Sequence, residues 1–127
     1  IKGKIQKRDG ALVFIETADS NPLTLPLSGA IKALGAKYVD KEVVFGIRPE
    51  QITREPASDI ATTPVTLKVE IAEPMGAESL VYLKTGSGTI IARIQGDHIF
   101  HLGEEVVAHF DMDRTTLFDP KTEQVLK

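Results

Sequence analysis

Cysteine and tryptophan are both absent from this sequence. Without cysteine the chain cannot form a disulfide, a cysteine zinc site or a cysteine nucleophile. Aromatic residues make up only 6% of the chain, a thin supply for the stacking platforms that bind single-stranded nucleic acids. No apolar run approaches the ~18 residues of a membrane-spanning helix, and the start lacks the apolar core of a signal peptide. We therefore expect a soluble chain with no nucleic-acid partner and no direct membrane insertion.

The composition is that of one ordinary globular domain. The chain has 127 residues, of which 42% are hydrophobic and 26% charged, and its formal net charge is -3. A domain of this size buries roughly two-thirds of its unfolded surface, so its core needs no metal or disulfide. The negative charge gives no overall attraction to phosphate groups. The sequence also starts without Met, and we expect it to be a fragment of a longer or processed protein.

Short apolar runs separated by turn-forming residues predict many short strands. The dipeptide Asp9-Gly10 predicts a tight hairpin between the first two of them. A short helix is expected within 28–38, ending at Gly35. The predicted strands cover residues 1–7, 11–17, 23–27, 42–47, 65–72, 79–84, 89–95, 105–110 and 123–126. This pattern indicates an all-β fold, a small barrel with one short helix.

The chain is predicted to be a single domain, 1–127, in three parts. Residues 1–54 hold the first strands, 65–127 hold the remaining barrel strands, and 55–64 are rich in Pro, Ala, Ser and Thr and predict a loop. The strict alternation over 65–72 predicts that Val65, Leu67, Val69 and Ile71 share one buried face. Recognition is then expected in the connections, because loops on a rigid scaffold commonly carry it.

A catalytic interpretation finds only scattered candidates. The sequence has no G-x-S-x-G motif, and Gly86-Ser87-Gly88 lies between two predicted strands, where it indicates a flexible hairpin turn rather than a nucleophile. Carboxylates Glu70, Glu73 and Glu78 lie close in sequence, but exposed carboxylates are far commoner than catalytic pairs. We therefore predict no catalytic residues.

Metal and phosphate sites are also disfavoured. His98 and His101 are three residues apart in a short stretch interpreted as β-like, which would place them on opposite faces of a strand. Leu27-Ser28-Gly29-Ala30 is superficially similar to the signature loop of ABC ATPases, yet the following Gly-Gln is missing, and so is the G-x-x-x-x-G-K-[ST] loop. The basic residues Lys2, Lys4, Lys7 and Arg8 are interpreted as a solvated strand face. We expect no metal, no cofactor and no ATP hydrolysis by this chain alone.

Three motifs in order resemble the C-terminal regulatory domain of sugar-importer ABC ATPase subunits, the family that includes the maltose and glycerol-3-phosphate importers. The first is the segment Gly46-Ile47-Arg48-Pro49-Glu50. The second, over 69–79, is similar to the family's V-x-x-x-E-x-x-G-x-E-[ST] pattern and contains Glu73, Gly76 and Glu78. The third comprises Gly103-Glu104-Glu105-Val106, Phe110-Asp111 and Leu117-Phe118-Asp119. These matches cover most of 42–127, whereas 1–41 match only in general character.

The resemblance implies an OB-like barrel of the transport-associated (TOBE) type, with additional strands. It also implies a non-catalytic role in the ATP-binding subunit of a sugar-class importer. In that family the domain forms a homodimer with its twin and receives a cytoplasmic regulatory protein. A separate ATPase domain holds ATP and Mg and contacts the permease. The implied location is the cytoplasmic side of the inner (plasma) membrane, as a peripheral part of the transporter.

The resemblance also assigns roles to single residues. Gly46, Pro49 and Gly76 are interpreted as structural, and Arg48 with Glu50 as a pair that holds the barrel together. Glu73 and Glu78 are interpreted as charged flanks of the turn at Gly76. The region of Gly103, Leu117 and Phe118 is the implied dimer or regulatory surface, with the core as the preferred location of Phe118.

Two other functions remain open. Related transport-associated barrels of molybdate systems hold an oxyanion, so a module that binds an oxyanion or another small ligand is the alternative, although their S-A-R-N motif is absent. A single-strand-binding OB protein is the third possibility, and the net negative charge disfavours it.

Overall fold

The computed structural model describes residues 1–55 and 62–127. In these residues it contains ten strands and one α-helix, α1 (Gly29–Gly35). The strands are β1 (Lys2–Arg8), β2 (Ala11–Glu16), β3 (Thr24–Pro26), β4 (Glu42–Gly46), β5 (Ile52–Thr53), β6 (Thr63–Pro74), β7 (Glu78–Lys84), β8 (Thr89–Gln95), β9 (Glu105–Phe110) and β10 (Thr116–Phe118). The predicted all-β class with one short helix is confirmed.

The strands form two five-stranded antiparallel sheets. The first has the order β10-β4-β1-β2-β3 and the second the order β5-β9-β6-β7-β8. The two edges of the second sheet, β5 and β8, contact each other, so this sheet is nearly closed into a barrel. The chain therefore builds the first sheet, crosses to the second, and returns through β10.

One hydrophobic core joins the two sheets. Phe14 and Phe45 from the first sheet pack with ring centroids 5.3 Å apart, and Phe110 from the second is also fully buried. Inward positions alternate with outward ones along β7, β8 and β9, as the sequence pattern predicts. This shared core places the loops at fixed positions.

The first hairpin follows the predicted turn chemistry. Asp9 and Gly10 have φ values of 50° and 80°, and Arg8 pairs with Ala11 across the turn. Two successive positive φ values match the right-handed twist of the flanking strands. The prediction from Asp9-Gly10 is confirmed.

The helix ends at Gly35, but for a different reason from the predicted one. Gly35 has a right-handed φ of -61°, and the chain continues into a 3₁₀ turn over Ala36–Tyr38. A Cβ atom on Gly35 would lie 2.7 Å from Leu27 Cδ1. Glycine here leaves room for the Leu27 side chain and does not form a left-handed cap.

The alternation over 65–72 breaks within β6. Val69 is buried and Ile71 is 50% exposed, because the register of β6 against β7 shifts between these two residues. A β-bulge of this kind inserts one residue and turns the following side chains to the other face. The prediction that Ile71 shares the buried face of Val69 is wrong.

The predicted loop 55–64 ends earlier than expected. Residues 56–61 lie outside the described residues, but Thr63 and Pro64 already pair with Phe110 and His109 on β9. Successive residues of a strand direct their main-chain groups to opposite sides. The nitrogen of Pro64 faces the side of β7, and β7 does not extend that far along β6. The missing N–H of the proline therefore costs no hydrogen bond between strands.

The C-terminal strand is not where the sequence predicts it. Residues 123–126 form only an isolated bridge, between Val125 and Phe118. The actual strand, β10, is three residues long and pairs with β4. Asp119 follows it and accepts hydrogen bonds from the Lys121 and Thr122 amides, which reverses the chain.

Candidate functional site

The first motif turns the chain out of the first sheet. Gly46 ends β4, and a Cβ atom there would lie 2.8 Å from Phe118 Cε2. The ring of Phe118, from the paired strand β10, therefore packs directly over this glycine. Gly46 and Phe118, named in separate motifs, are brought together by the fold.

Arg48, Pro49 and Glu50 act mainly through the main chain. Arg48 is extended, with φ -81° and ψ 148°, Pro49 starts a 3₁₀ turn, and the Gln51 amide donates to the Arg48 carbonyl at 2.9 Å. The side chains of Arg48 and Glu50 are exposed. Within the described residues no ion pair joins them. The structure thus does not support the interpretation of a pair that holds the barrel together.

The second motif forms a tight turn between β6 and β7. Gly76 has φ 87°, and the Met75 amide donates to the Glu78 carbonyl at 2.8 Å. A non-glycine residue is strained at this φ, so the structural interpretation of Gly76 has a direct cause.

The two carboxylates of this turn contact different partners. The charge of Glu73 raises the pKa of Tyr82, which pairs with Ile71 on β6. Glu78 accepts a hydrogen bond from Gln95 Nε2 at 3.0 Å and lies 3.9 Å from Arg93 Nε. They therefore act as separate surface groups rather than as a shared acid and base.

The third motif closes the loop between β8 and β9, residues 96–104. Glu104 Oε2 lies 3.2 Å from His98 Nε2, and Glu104 Oε1 accepts the His101 amide at 3.0 Å. The hydrogen bond from the His101 amide, followed by that from His98, lowers the pKa of Glu104. Gly103, with φ 82°, donates its amide to the Val69 carbonyl at 2.8 Å. His98 and His101 thus lie in a loop, and the prediction of a β-like stretch is wrong.

This β8–β9 loop presents apolar side chains to solvent. Ile99 is 72% and Leu102 78% exposed, the highest values among the exposed large apolar residues of the part that the structure describes. Phe100 between them is buried, and its ring packs edge-to-face with the His98 ring, the two ring centroids lying 4.5 Å apart. Two strongly exposed apolar side chains on an anchored loop make this loop a candidate interaction site. The predicted surface residue Gly103 belongs to this same loop.

Leu117 does not belong to that surface. Its side chain is fully buried at 0% exposure, because β10 inserts it into the shared core. Phe118, the next residue, faces the other way and is partly buried over Gly46. The expected contact of Leu117 with a partner is therefore replaced by a core role.

A buried carboxylate that the sequence motifs do not include connects the two sheets. Glu16, at the end of β2, is 2% exposed. It accepts hydrogen bonds from the Leu23, Gly86 and Ser87 amides at 2.8, 2.9 and 2.9 Å. The hydroxyls of Thr85, at 2.7 Å, and of Ser87 also donate to it. The Gly86-Ser87-Gly88 turn is therefore held by the opposite sheet.

The electrostatics of Glu16 follow from these bonds. Burial acts to raise the pKa of the carboxyl group, but the bonds from Ser87, Leu23 and Thr85 outweigh it and lower the pKa to about 2. The sequence signal for this residue is its position. Leu12, Phe14 and Glu16 are two residues apart and therefore share one face of β2, which is the buried face. The pattern thus places a carboxylate at a position that is expected to be buried.

Comparison with protein families gives two matches, which overlap over residues 45–52. The TOBE domain family matches residues 45–118, and the MalK OB fold domain family matches residues 1–52. The chain belongs to the TOBE domain family. The resemblance inferred from the three motifs is confirmed, and so is the OB-like fold. This TOBE domain also has an OB-fold match over its first residues, where the motifs gave only general similarity.

Two curated relatives match this TOBE domain over part of their own length. It is 36% identical to the oligosaccharides import ATP-binding protein MsmX of Bacillus subtilis over 96% of this chain and 32% of the relative. It is 35% identical to the trehalose/maltose import ATP-binding protein MalK of Thermococcus litoralis over 67% of this chain and 24% of the relative. The chain thus spans about a third or less of these curated relatives. Across 1–55 and 62–127, no helix is long and apolar enough to cross a membrane.

Proposed function

We propose that this TOBE domain is the non-catalytic regulatory and dimerisation domain of the ATP-binding subunit of a sugar-class ABC importer. The similarity to MsmX over 96% of the chain supports the class of subunit. The observation that carries the regulatory role is the anchored β8–β9 loop, which exposes Ile99 and Leu102. Exposed apolar side chains on an anchored loop favour a protein partner over a small substrate.

The proposal assigns the remaining functions to other parts of the transporter. ATP, Mg and hydrolysis belong to an ATPase domain of the same subunit, and the permease contacts that domain. The TOBE domain contacts its twin and a cytoplasmic regulatory protein, on the cytoplasmic side of the membrane. Because the isolated domain lacks the mass-action contribution of an ATPase dimer, its self-association is weak and depends on concentration.

Replacement of Leu102 tests the loop as the contact surface. We expect Leu102→Ser to weaken self-association about tenfold or more, since burial of a leucine side chain contributes about 1.5–3 kcal/mol. The melting temperature stays close to that of the wild type, because Leu102 is 78% exposed. Sedimentation equilibrium measures the association constant.

Ile71→Ser is the matched control, because Ile71 is 50% exposed but lies on β6. We expect it to leave the association constant unchanged. Equal weakening by both substitutions would show non-specific apolar association, and an unchanged constant for Leu102→Ser would remove the β8–β9 loop from the proposal.

A further inference from the structure

A groove of about 610 Å³ lies where the two sheets meet. One wall is the edge strand β3 with the residues before it, from Ser20 to Thr24, and the other wall is the β6 segment from Val65 to Lys68. Thr85 and Gly86 complete the lining. The volume falls in the range of small-molecule sites. Of the residues in the three family motifs, only Glu105 lines this groove, and the β8–β9 loop does not contribute to it.

Among the described residues, the β6 wall has main-chain groups that β7 does not pair. Pairing of β6 with β7 begins at Lys68 opposite Lys84, so β7 has no residue opposite the preceding part of β6. The Val69 amide donates to Glu104 on the β9 side. Because direction alternates along a strand, the amide and carbonyl of Thr66 point to the side that β7 has left, toward the groove.

The β3 wall also directs main-chain groups toward the groove. The Leu23 carbonyl accepts the Glu16 amide, and the Leu27 amide donates to Leu12, so these odd-numbered residues face β2. The main-chain groups of Thr24 therefore face away from β2, and Thr24 lines the groove. Each wall thus presents one peptide donor and one acceptor, as well as a threonine side chain.

Charge is concentrated at one end of the groove. Lys68 and Lys84 are directly opposite each other, and Glu105 is opposite Lys68 on the other side. All three side chains are exposed and line the groove, and in the part that the structure describes none of them forms an ion pair. Like charges directly opposite each other are destabilising, so an anionic group between the two lysines is favoured.

The lining is held in place by the buried carboxylate. Glu16 binds the Leu23 amide, the Thr85 hydroxyl and the Gly86 amide, and all three residues line the groove. A site whose walls are already ordered loses little entropy when it binds a ligand. The charge of Glu16 itself is satisfied by these donors and by Ser87.

We propose that this groove binds a small phosphorylated or carboxylated polyol. The anionic group lies between Lys68 and Lys84, and the hydroxyl groups pair with the main-chain groups of Thr24 and Thr66. The negative charge of Glu105 repels ligands that carry more than one anionic group. The proposal is independent of the proposed regulatory role, because the groove shares no residue with the β8–β9 loop.

Titration of the ¹⁵N-labelled chain, followed by amide chemical shifts, tests the site. The probes are glucose 6-phosphate, gluconate, inorganic phosphate and uncharged glucose, at constant ionic strength. We expect saturable shifts at the Thr24 and Thr66 amides with glucose 6-phosphate or gluconate, and a much weaker response to glucose. Comparison of these two anions distinguishes a phosphate from a carboxylate ligand. The difference in affinity between glucose 6-phosphate and inorganic phosphate gives the contribution of the polyol.

Three substitutions make the result specific. Lys84→Gln is expected to weaken binding about tenfold, through loss of a charge-assisted contact. Glu105→Gln is expected to strengthen it about threefold, by removing a nearby negative charge. Lys7→Gln, an exposed lysine on β1 outside the groove, is the control and leaves binding unchanged. Absence of saturable shifts at Thr24 and Thr66, or equal weakening by Lys84→Gln and Lys7→Gln, would overturn the proposal.

Discussion

Glu16→Ala is expected to lower the free energy of unfolding by about 3–5 kcal/mol, because several buried hydrogen-bond donors lose their charged acceptor at once. The substitution leaves the Leu23 and Gly86 amides and the Thr85 hydroxyl without their acceptor inside the protein. Each unsatisfied buried donor costs about 1–3 kcal/mol. Urea denaturation monitored by circular dichroism measures the change.

Two further variants separate the network from the loss of a charge. Glu16→Gln retains one acceptor oxygen but adds two amide hydrogens, so we expect a loss between those of the wild type and the alanine variant. Glu42→Ala, at an exposed position on β4, is the control and is expected to change stability by less than about 0.5 kcal/mol. Equal stability of Glu16→Ala and Glu42→Ala would show that the buried carboxylate does not connect the sheets.

The pH dependence of the unfolding free energy is an independent measurement of the hydrogen bonds to Glu16. The pKa of Glu16 is lowered from 4.5 to about 2 in the folded protein, so the unfolded state takes up the proton first as the pH falls. The stabilisation is complete above pH 4.5 and is lost progressively between pH 4.5 and about 2. A shift of this size corresponds to roughly 3 kcal/mol. The Glu16→Gln variant is expected to lack this part of the pH dependence of stability.

The parts of the fold that local chemistry determines were predictable from the sequence. Asp9-Gly10 defines a hairpin by itself, and the bounds of β8 and β9 follow from alternation between turn signals. β10 was missed because three residues carry too little pattern. Its pairing with β4 depends on the fit of Phe118 over Gly46, across more than 70 residues of sequence.

The candidate sites were predictable only in part, for the same reason. The motif placed Gly103 in a predicted interaction surface, whereas the exposure of Ile99 and Leu102 is seen only in the folded loop that Glu104 anchors. The groove was not predictable, since its two walls come from different sheets and neither wall has a local signature. Glu16 stands between these cases, because its inward position was readable but its partners around residue 86 were not.

Gly86→Ala is the second substitution with a large expected effect, because this turn packs tightly against the connection between β2 and β3. A Cβ atom on Gly86 would lie 2.7 Å from Ala18 Cβ and 2.7 Å from the carbonyl oxygens of Ser20 and Asn21. Two of these contacts are main-chain atoms, which cannot rotate away as a side chain can. We expect a loss of about 3 kcal/mol in unfolding free energy, the cost of forcing extra volume into a packed junction.

Gly88→Ala is the matched control in the same turn. A Cβ atom there meets nothing within 4 Å, and Gly88 does not have a positive φ. The substitution is therefore expected to leave stability unchanged or to raise it by about 0.4–1 kcal/mol, through loss of freedom in the unfolded chain. Thermal and urea unfolding of both variants measure the difference. Similar stabilities would show that the main chain around Gly86 moves to accommodate the added methyl group. Because Gly86 also lines the groove, Gly86→Ala should weaken binding of the anionic polyol, whereas Gly88→Ala should not.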